Sequence, residues 1–479
     1  MPKYIDPGVY IEEMPLTPRS IADVATAIPA FIGYTEKAAH QGRTLVDRPI
    51  RIQTLAEFED VFGGSACGTC GKFITVVLDE SEEIESIEIE PRYFIYDSIR
   101  LYFANGGGPC YIVSVGAYRT DGSVGKDELE RGIDALSRED EPTILVVPEA
   151  VLTGSDELTA SIHAAALAQC GERGDRIAIL DIREGFRAPD DGAPIENFRN
   201  SCTSADLTYG AAYYPWLSTT LPLDFDYHNL TFRKPDPVRA VQVDADLPET
   251  QHFPETAGAA AGNLERPAKR QNPLYAKVAD RVRQQHRAVP AGGAIAGVYA
   301  RVDNTRGVWK SPADVSLNAV SGPAVALDNA AQDTLNTDAD SGISVNAIRE
   351  FPGKGTLVWG ARTMAGNDAE WRYISVRRFC IMVEESVKKS TAWAVFETND
   401  ADTWARVKSM IGNYLIQKWK DGALLGDRPE RAFYVQVGLG ATMTQLDILE
   451  GRMIVEIGLA VVRPAEFIIL RFSHKMAEA

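Results

Sequence analysis

Apolar and polar positions follow helix and strand periods with the fewest interruptions between Phe351 and Phe472. In the run from Gly353 to Gly360, Leu357 and Trp359 alternate with smaller residues, the period of two that predicts a short buried strand. Phe379, Met382, Val383, Ser386, Val387 and Ser390 then recur at steps of three and four, which predicts a helix with Arg377, Arg378, Glu384, Glu385 and Lys388 off its apolar face. A second helix carries a stripe of Trp404, Val407, Ile411, Tyr414, Leu415 and Trp419; Asn399 or Asp402 can cap its start, and Gly422 stops it. Strands come next. Phe433, Val435 and Val437 alternate with Tyr434 and Gln436, and Met453 to Val462 and Phe467 to Phe472 are further β-rich runs separated by Arg463-Pro464. The pattern predicts an α+β module over 351–472, followed by a short tail, 473–479.

Upstream the pattern changes twice. In residues 1–25, Tyr4, Ile5, Val9, Tyr10 and Ile11 are strand formers, but Pro2, Pro7, Pro15 and Pro18 prevent a self-contained sheet. The readings are an extended arm or a disordered leader. An arm satisfies its backbone groups most cheaply by adding a strand to a sheet edge, in its own chain or a neighbour's. Over 26–217, strand-like runs (Ala30–Tyr34, Ile50–Ile52, Cys110–Val115, Thr143–Val147, Arg176–Ile182) alternate with helical ones (Leu55–Phe62, Leu129–Leu136, Ser161–Cys170). That alternation predicts a βαβ-like layered sheet, parallel in part. Tyr209 to Trp216 reads as core. Prolines, an alanine-glycine run at Ala257–Gly262 and scattered basic residues mark 218–288 as a surface insertion, and 289–350 returns to the layered region with a small-residue helix from Val289 to Arg301.

Composition narrows the function. A chain of 479 residues implies two or three domains of about 100–200 residues. No apolar run approaches the roughly 20 residues of a membrane span, and the first residues lack a signal-peptide pattern, so production in the cytoplasm without membrane insertion is expected. A net charge of −18 speaks against nucleic-acid binding, and six cysteines in this length do not make a disulfide framework. The histidines at 40, 163, 228, 252, 286 and 474 are scattered, and no phosphate loop, dinucleotide fingerprint, His-Glu-x-x-His or Gly-x-Ser-x-Gly occurs. Gly106 to Gly108 precede a strand instead of opening a helix, which disqualifies them as a phosphate cradle. Cys67 and Cys70 form an isolated Cys-x-x-Cys with no second pair at zinc spacing, so an inert glycine-rich loop is the reading. No catalytic, cofactor-binding or metal-binding residue is assigned, and the chain is not expected to be an enzyme.

Short motifs in a shared order tie these regions together. They are Pro7-Gly-Val-Tyr-Ile-Glu-Glu13, Phe31-Ile-Gly33, Phe103-Ala-Asn-Gly-Gly107, Ala212-Tyr-Tyr-Pro-Trp216, Ala296-Gly-Val-Tyr-Ala-Arg-Val-Asp303, Arg306-Gly-Val-Trp-Lys-Ser-Pro312, Asn346-Ala-Ile-Arg349, Val358-Trp-Gly-Ala-Arg-Thr363, Trp371-Arg-Tyr373 with Arg377-Arg378, Gly422-Ala-Leu-Leu-Gly426 and Pro464-Ala-Glu-Phe467. Through them the chain resembles the tail sheath proteins of contractile phage tails and related injection systems. The resemblance implies a mixed α+β and α/β multidomain fold, with an inner α+β domain uniting both chain ends and outer domains inserted between them. It implies subunits stacked as six-membered rings around an inner tube, shortening when a baseplate fires, with baseplate and tail-terminator proteins as partners and no cofactor. Terminal arms would complete sheets in neighbouring copies, here through Tyr4, Ile5, Val9, Tyr10 and Ile11 at one end and Phe467, Ile468, Ile469, Leu470 and Phe472 at the other. Arg406, Lys408, Lys418 and Lys420, outside the apolar stripe of the second helix, are the expected tube-facing cations. A low-copy sheath paralogue at the baseplate or tail terminus is the alternative, and 218–288 has no counterpart in short members of the family.

Overall fold

A computed structural model describes residues 20–66, 69–79, 83–90, 92–225, 229–233, 273–285, 287–336, 338 and 341–466. Packing divides these into two units. The larger holds Ala25–Ile381 and the described residues from Arg463 onward; the smaller holds residues 20–24 with Met382–Val462.

The larger unit is built on a nine-stranded sheet whose strands lie in the order Val315–Ser316, Gly355–Val358, Val345–Phe351, Gly210–Tyr214, Ile177–Asp181, Ile144–Val146, Pro29–Thr35, Cys110–Ala117 and Ile50–Ile52. Six neighbours, from Val345–Phe351 to Cys110–Ala117, run parallel. Parallel strands are covered on both faces, which is why Pro29–Thr35, Ile144–Val146 and Ile177–Asp181 are buried throughout and read as continuous apolar runs. The first strand, Pro29–Thr35, is third from one edge and later strands are added on both sides of it, a doubly wound form of the partly parallel βαβ-like layered sheet that alternating strand and helix signals predict. Each helix has local causes. Asp156–Arg173, for example, starts at Ser155, whose side chain accepts from the Leu158 amide, and stops at Gly174, which takes the left-handed conformation at φ 68°.

The small residues of Gly292–Arg306 have a packing cause. A Cβ at Gly293 would lie 2.3 Å from the Ser98 carbonyl oxygen and one at Gly297 2.5 Å from that of Tyr102, so this helix meets Ile95–Ala104 backbone to backbone.

Two expectations are corrected. The C-terminal module does not begin at Phe351. Gly355–Val358 pairs antiparallel with Val345–Phe351 and so belongs to the large sheet, and the division falls within the helix Ile374–Thr391, between Ile381 and Met382. Arg377 and Arg378 are buried instead of solvated: Arg377 lies over Tyr209 at 3.8 Å and Trp371 at 4.4 Å, and Arg378 pairs with Asp303. The expected insertion, 218–288, is rooted in two sheets. Leu217–Thr219 and Arg287–Val289 pair antiparallel at its base, and Leu230–Arg233 joins Ile74–Leu78 in a second sheet. Its alanine-glycine run lies outside the described residues.

Candidate functional site

The smaller unit is a helical hairpin with a strand pair. Asp400, rather than Asn399 or Asp402, caps Ala401–Lys420 by accepting from the Thr403 amide at 3.0 Å; Asn399 instead accepts from the Trp404 indole and donates to the Arg452 carbonyl. Thr403, Val407, Met410, Ile411, Tyr414, Leu415 and Lys418 form the buried face, and Trp404 and Trp419 are half-buried at its margins. Gly422, at φ 81°, follows the last turn.

Phe433–Val437 and Val455–Leu459 pair antiparallel in register from Phe433 with Leu459 to Val437 with Val455. Among the described residues these two strands make a sheet by themselves, so each keeps an outer edge. Two strands are marginal as a sheet, and unpaired edge groups are a template for another strand. Only Val435 of the ten strand residues is fully buried. Tyr434, Leu439, Leu446, Leu449 and Ile454 are large apolar side chains left exposed around the pair. A surface of this kind is suited to covering by another polypeptide.

The expected tube-facing cations separate. Arg406, Lys408 and Lys420 are exposed, Arg406 resting 4.4 Å from the Trp393 ring. Lys418 is not available: its side chain is 7% exposed and its ammonium donates to Asp23, which also accepts from the Tyr414 hydroxyl at 2.7 Å. Burial raises the Tyr414 pKa, and the bond to Asp23 adds to the shift. The strand formers Tyr4, Ile5, Val9, Tyr10 and Ile11, and Phe467, Ile468, Ile469, Leu470 and Phe472, lie outside the described residues.

Elsewhere the chemistry turns inward. A cavity of about 350 Å³ in the larger unit is lined by Phe94, Trp216, Arg100, Asp97 and Arg287. Its charges answer one another: Arg287 donates to both Asp97 oxygens at 2.8 and 3.0 Å, and Arg100 lies 3.5 Å from the same carboxylate. Cys70 is buried with its thiol 3.7 Å from the Arg119 carbonyl, while Cys67 lies outside the described residues. Among the described residues no group of His, Cys, Asp and Glu is placed to hold a metal, and no helix is long and apolar enough to cross a membrane.

The phage tail sheath C-terminal domain family matches residues 367–475, which take in the helical hairpin and the strand pair. A structure of the sheath complex of the extracellular contractile injection system PVC, in the contracted state, is 29% identical, with 99% of each chain covered and a TM-score of 0.64. The fold is that of a contractile sheath protein. A chain in the baseplate of the anti-feeding prophage, also 29% identical, covers 99% of this sheath-like chain at a TM-score of 0.61. The tail sheath protein of Vibrio phage KVP40 is 30% identical over 139 residues, 28% of this chain. This chain spans only 20% of the length of that phage protein.

Proposed function

We propose that this protein is the structural subunit of a contractile sheath. It polymerises as stacked six-subunit rings around an inner tube, abuts baseplate and tail-terminator proteins, and contracts to drive the tube through a target envelope. The observation that carries this reading is the strand pair Phe433–Val437 and Val455–Leu459, whose outer edges are unpaired among the described residues and whose apolar flanks are exposed, inside the domain shared with sheath proteins. Strands donated by neighbouring copies complete it, and the strand-forming runs at both ends of the chain are the donors. Each backbone hydrogen bond so formed adds only about 0.5–1.5 kcal/mol net, but repeated through every subunit it makes a continuous mesh. Contraction needs no nucleotide in this account. An extended, metastable array relaxes to one that buries more interface, and the subunit performs no catalysis. Assembly takes place in the producer's cytoplasm, and the particle carries the product.

Negative-stain microscopy of the overexpressed protein tests the proposal. Striated tubes are expected; a discrete monomer under all conditions would refute it. The likeness to a chain of a baseplate structure favours one second reading, a low-copy paralogue seated there. Purified particles distinguish the two, since a bulk sheath protein is present in many copies along the tail and a baseplate paralogue only at its end.

A further inference from the structure

Glu466 is the last described residue before the strand-forming run Phe467–Phe472. Arg362 holds its carboxylate in a fork, Nε donating to Oε1 at 2.9 Å and the terminal Nη2 to Oε2, and the Tyr373 hydroxyl donates to Oε2 at 3.2 Å. Arg362 is itself fixed. Its side chain is 7% exposed, its other terminal nitrogen donates to the Asn336 carbonyl at 3.0 Å, and the Asn346 side chain accepts from its amide and donates to its carbonyl at 2.7 and 2.8 Å. Asn346 belongs to the sheet strand Val345–Phe351, and its amide also donates to the Ala212 carbonyl of the adjacent strand. Just before the clamp, Arg463 donates to the Ala369 carbonyl at 2.7 Å. The chain is therefore tied at Glu466, through Arg362 and Asn346, to the central sheet of the larger unit, and at Arg463 to the Ala369 carbonyl.

Two physical points give this arrangement a role. A buried guanidinium is costly unless its charge and donors are answered, and bidentate pairing with a carboxylate fixes the direction as well as the distance of its partner. A tether whose root is fixed searches a smaller volume than one that swings, which raises the effective concentration of its far end at a fixed target. We propose that Arg362 and Tyr373 are positioning residues for assembly: by gripping Glu466 they set the point and register from which the C-terminal strand departs toward a second copy of this chain. The inference rests on the sheath reading above.

The test compares full-length wild type with Glu466→Gln and Tyr373→Phe. It follows melting and amide exchange over residues 463–472 in the unassembled subunit, and tube formation by negative stain. Glu466→Gln is expected to keep a cooperative melt, to exchange roughly tenfold faster in that segment, and to lose tubes or shorten them about tenfold, with Tyr373→Phe intermediate. Wild-type exchange and tubes in Glu466→Gln would overturn the proposal. So would loss of the cooperative melt, because the clamp would then serve the fold alone. If neither protein forms tubes, the sheath reading fails, and exchange alone decides the anchor: faster in the variant retains it, equal rates remove it.

Discussion

Arg378 and Asp303 meet as a buried ion pair within the larger unit, the guanidinium donating to both carboxylate oxygens, with 3.0 Å to Oδ1. The same guanidinium donates to the Thr26 carbonyl at 2.9 Å and lies 4.6 Å from the Tyr299 ring, while the Thr26 hydroxyl donates to Asp303. Desolvating two charges is tolerable only with this degree of pairing, so removing one partner strands the other. Arg378→Met should cost about 3–5 kcal/mol in urea unfolding, and the double variant Arg378→Met with Asp303→Leu clearly less than the sum of the single changes.

Glu149 predicts a pH dependence. Its side chain is fully buried and accepts from the Phe94 and Ile95 amides through Oε1, while Oε2 has no partner among the described residues. Burial outweighs the backbone amides of Ile95, Glu149 itself and Phe94 and pushes its pKa up from an ordinary value near 4.5 to about 8. Between those two values the folded protein keeps a proton that the unfolded chain has released. Stability therefore falls as pH rises across this window, by up to about 1.4 kcal/mol per unit from this group, and levels off above it. Glu149→Gln should flatten the fall in a series of urea unfolding curves; an unchanged slope would refute the assignment.

Arg406, Lys408 and Lys420 should behave differently from Lys418. Reversing the three exposed charges to Glu is expected to weaken co-assembly with the inner tube roughly tenfold at low ionic strength, the deficit shrinking as salt screens the contact. Lys418→Ala should instead lower subunit stability by about 1–2 kcal/mol, through the loss of Asp23 as partner, with no change in the salt dependence of tube binding. Co-sedimentation with tubes across a salt series, beside urea unfolding, separates the two effects.

Deleting residues 1–14 removes Tyr4 to Ile11 without touching Asp23 or Val24, which hold the described start of the chain through Tyr414, Lys418 and Ser386. Folded subunits that no longer polymerise are expected. Tubes of normal length from the truncated protein would count against strand donation from this end.

The sequence makes periodicity legible and partnership much less so. Four of the six parallel strands, Pro29–Thr35, Cys110–Ala117, Ile144–Val146 and Ile177–Asp181, and both long helices stand close to where their patterns place them, because burial on one or two faces leaves a direct imprint on composition. Gly210–Tyr214 reads only as core, and Val345–Phe351 does not read as a strand. Arg377, Arg378 and Lys418 look solvent-facing by the same reasoning. They are buried because aromatic rings and carboxylates far along the chain receive them: Tyr209, Asp303 and Asp23, none detectable by a local window. The Phe351 boundary is misplaced for a related reason, since Gly355–Val358 is a strand by pattern but its sheet is decided by the neighbour it pairs with. That the strand pair has no further strand beside it among the described residues is a matter of counting partners, which periodicity does not do.

The Val24 amide donates to Ser386 across a separation of 362 residues, and Asp23 reaches Tyr414 across 391. Domains near the beginning of a chain ordinarily fold while the rest is still being made. Here the smaller unit has to wait for the ribosome to deliver its second part, through Val462, long after the first has emerged. The strand pair is consequently not available until the chain through Leu459 has been made, and copies whose synthesis has not reached that residue cannot seed a polymer through it.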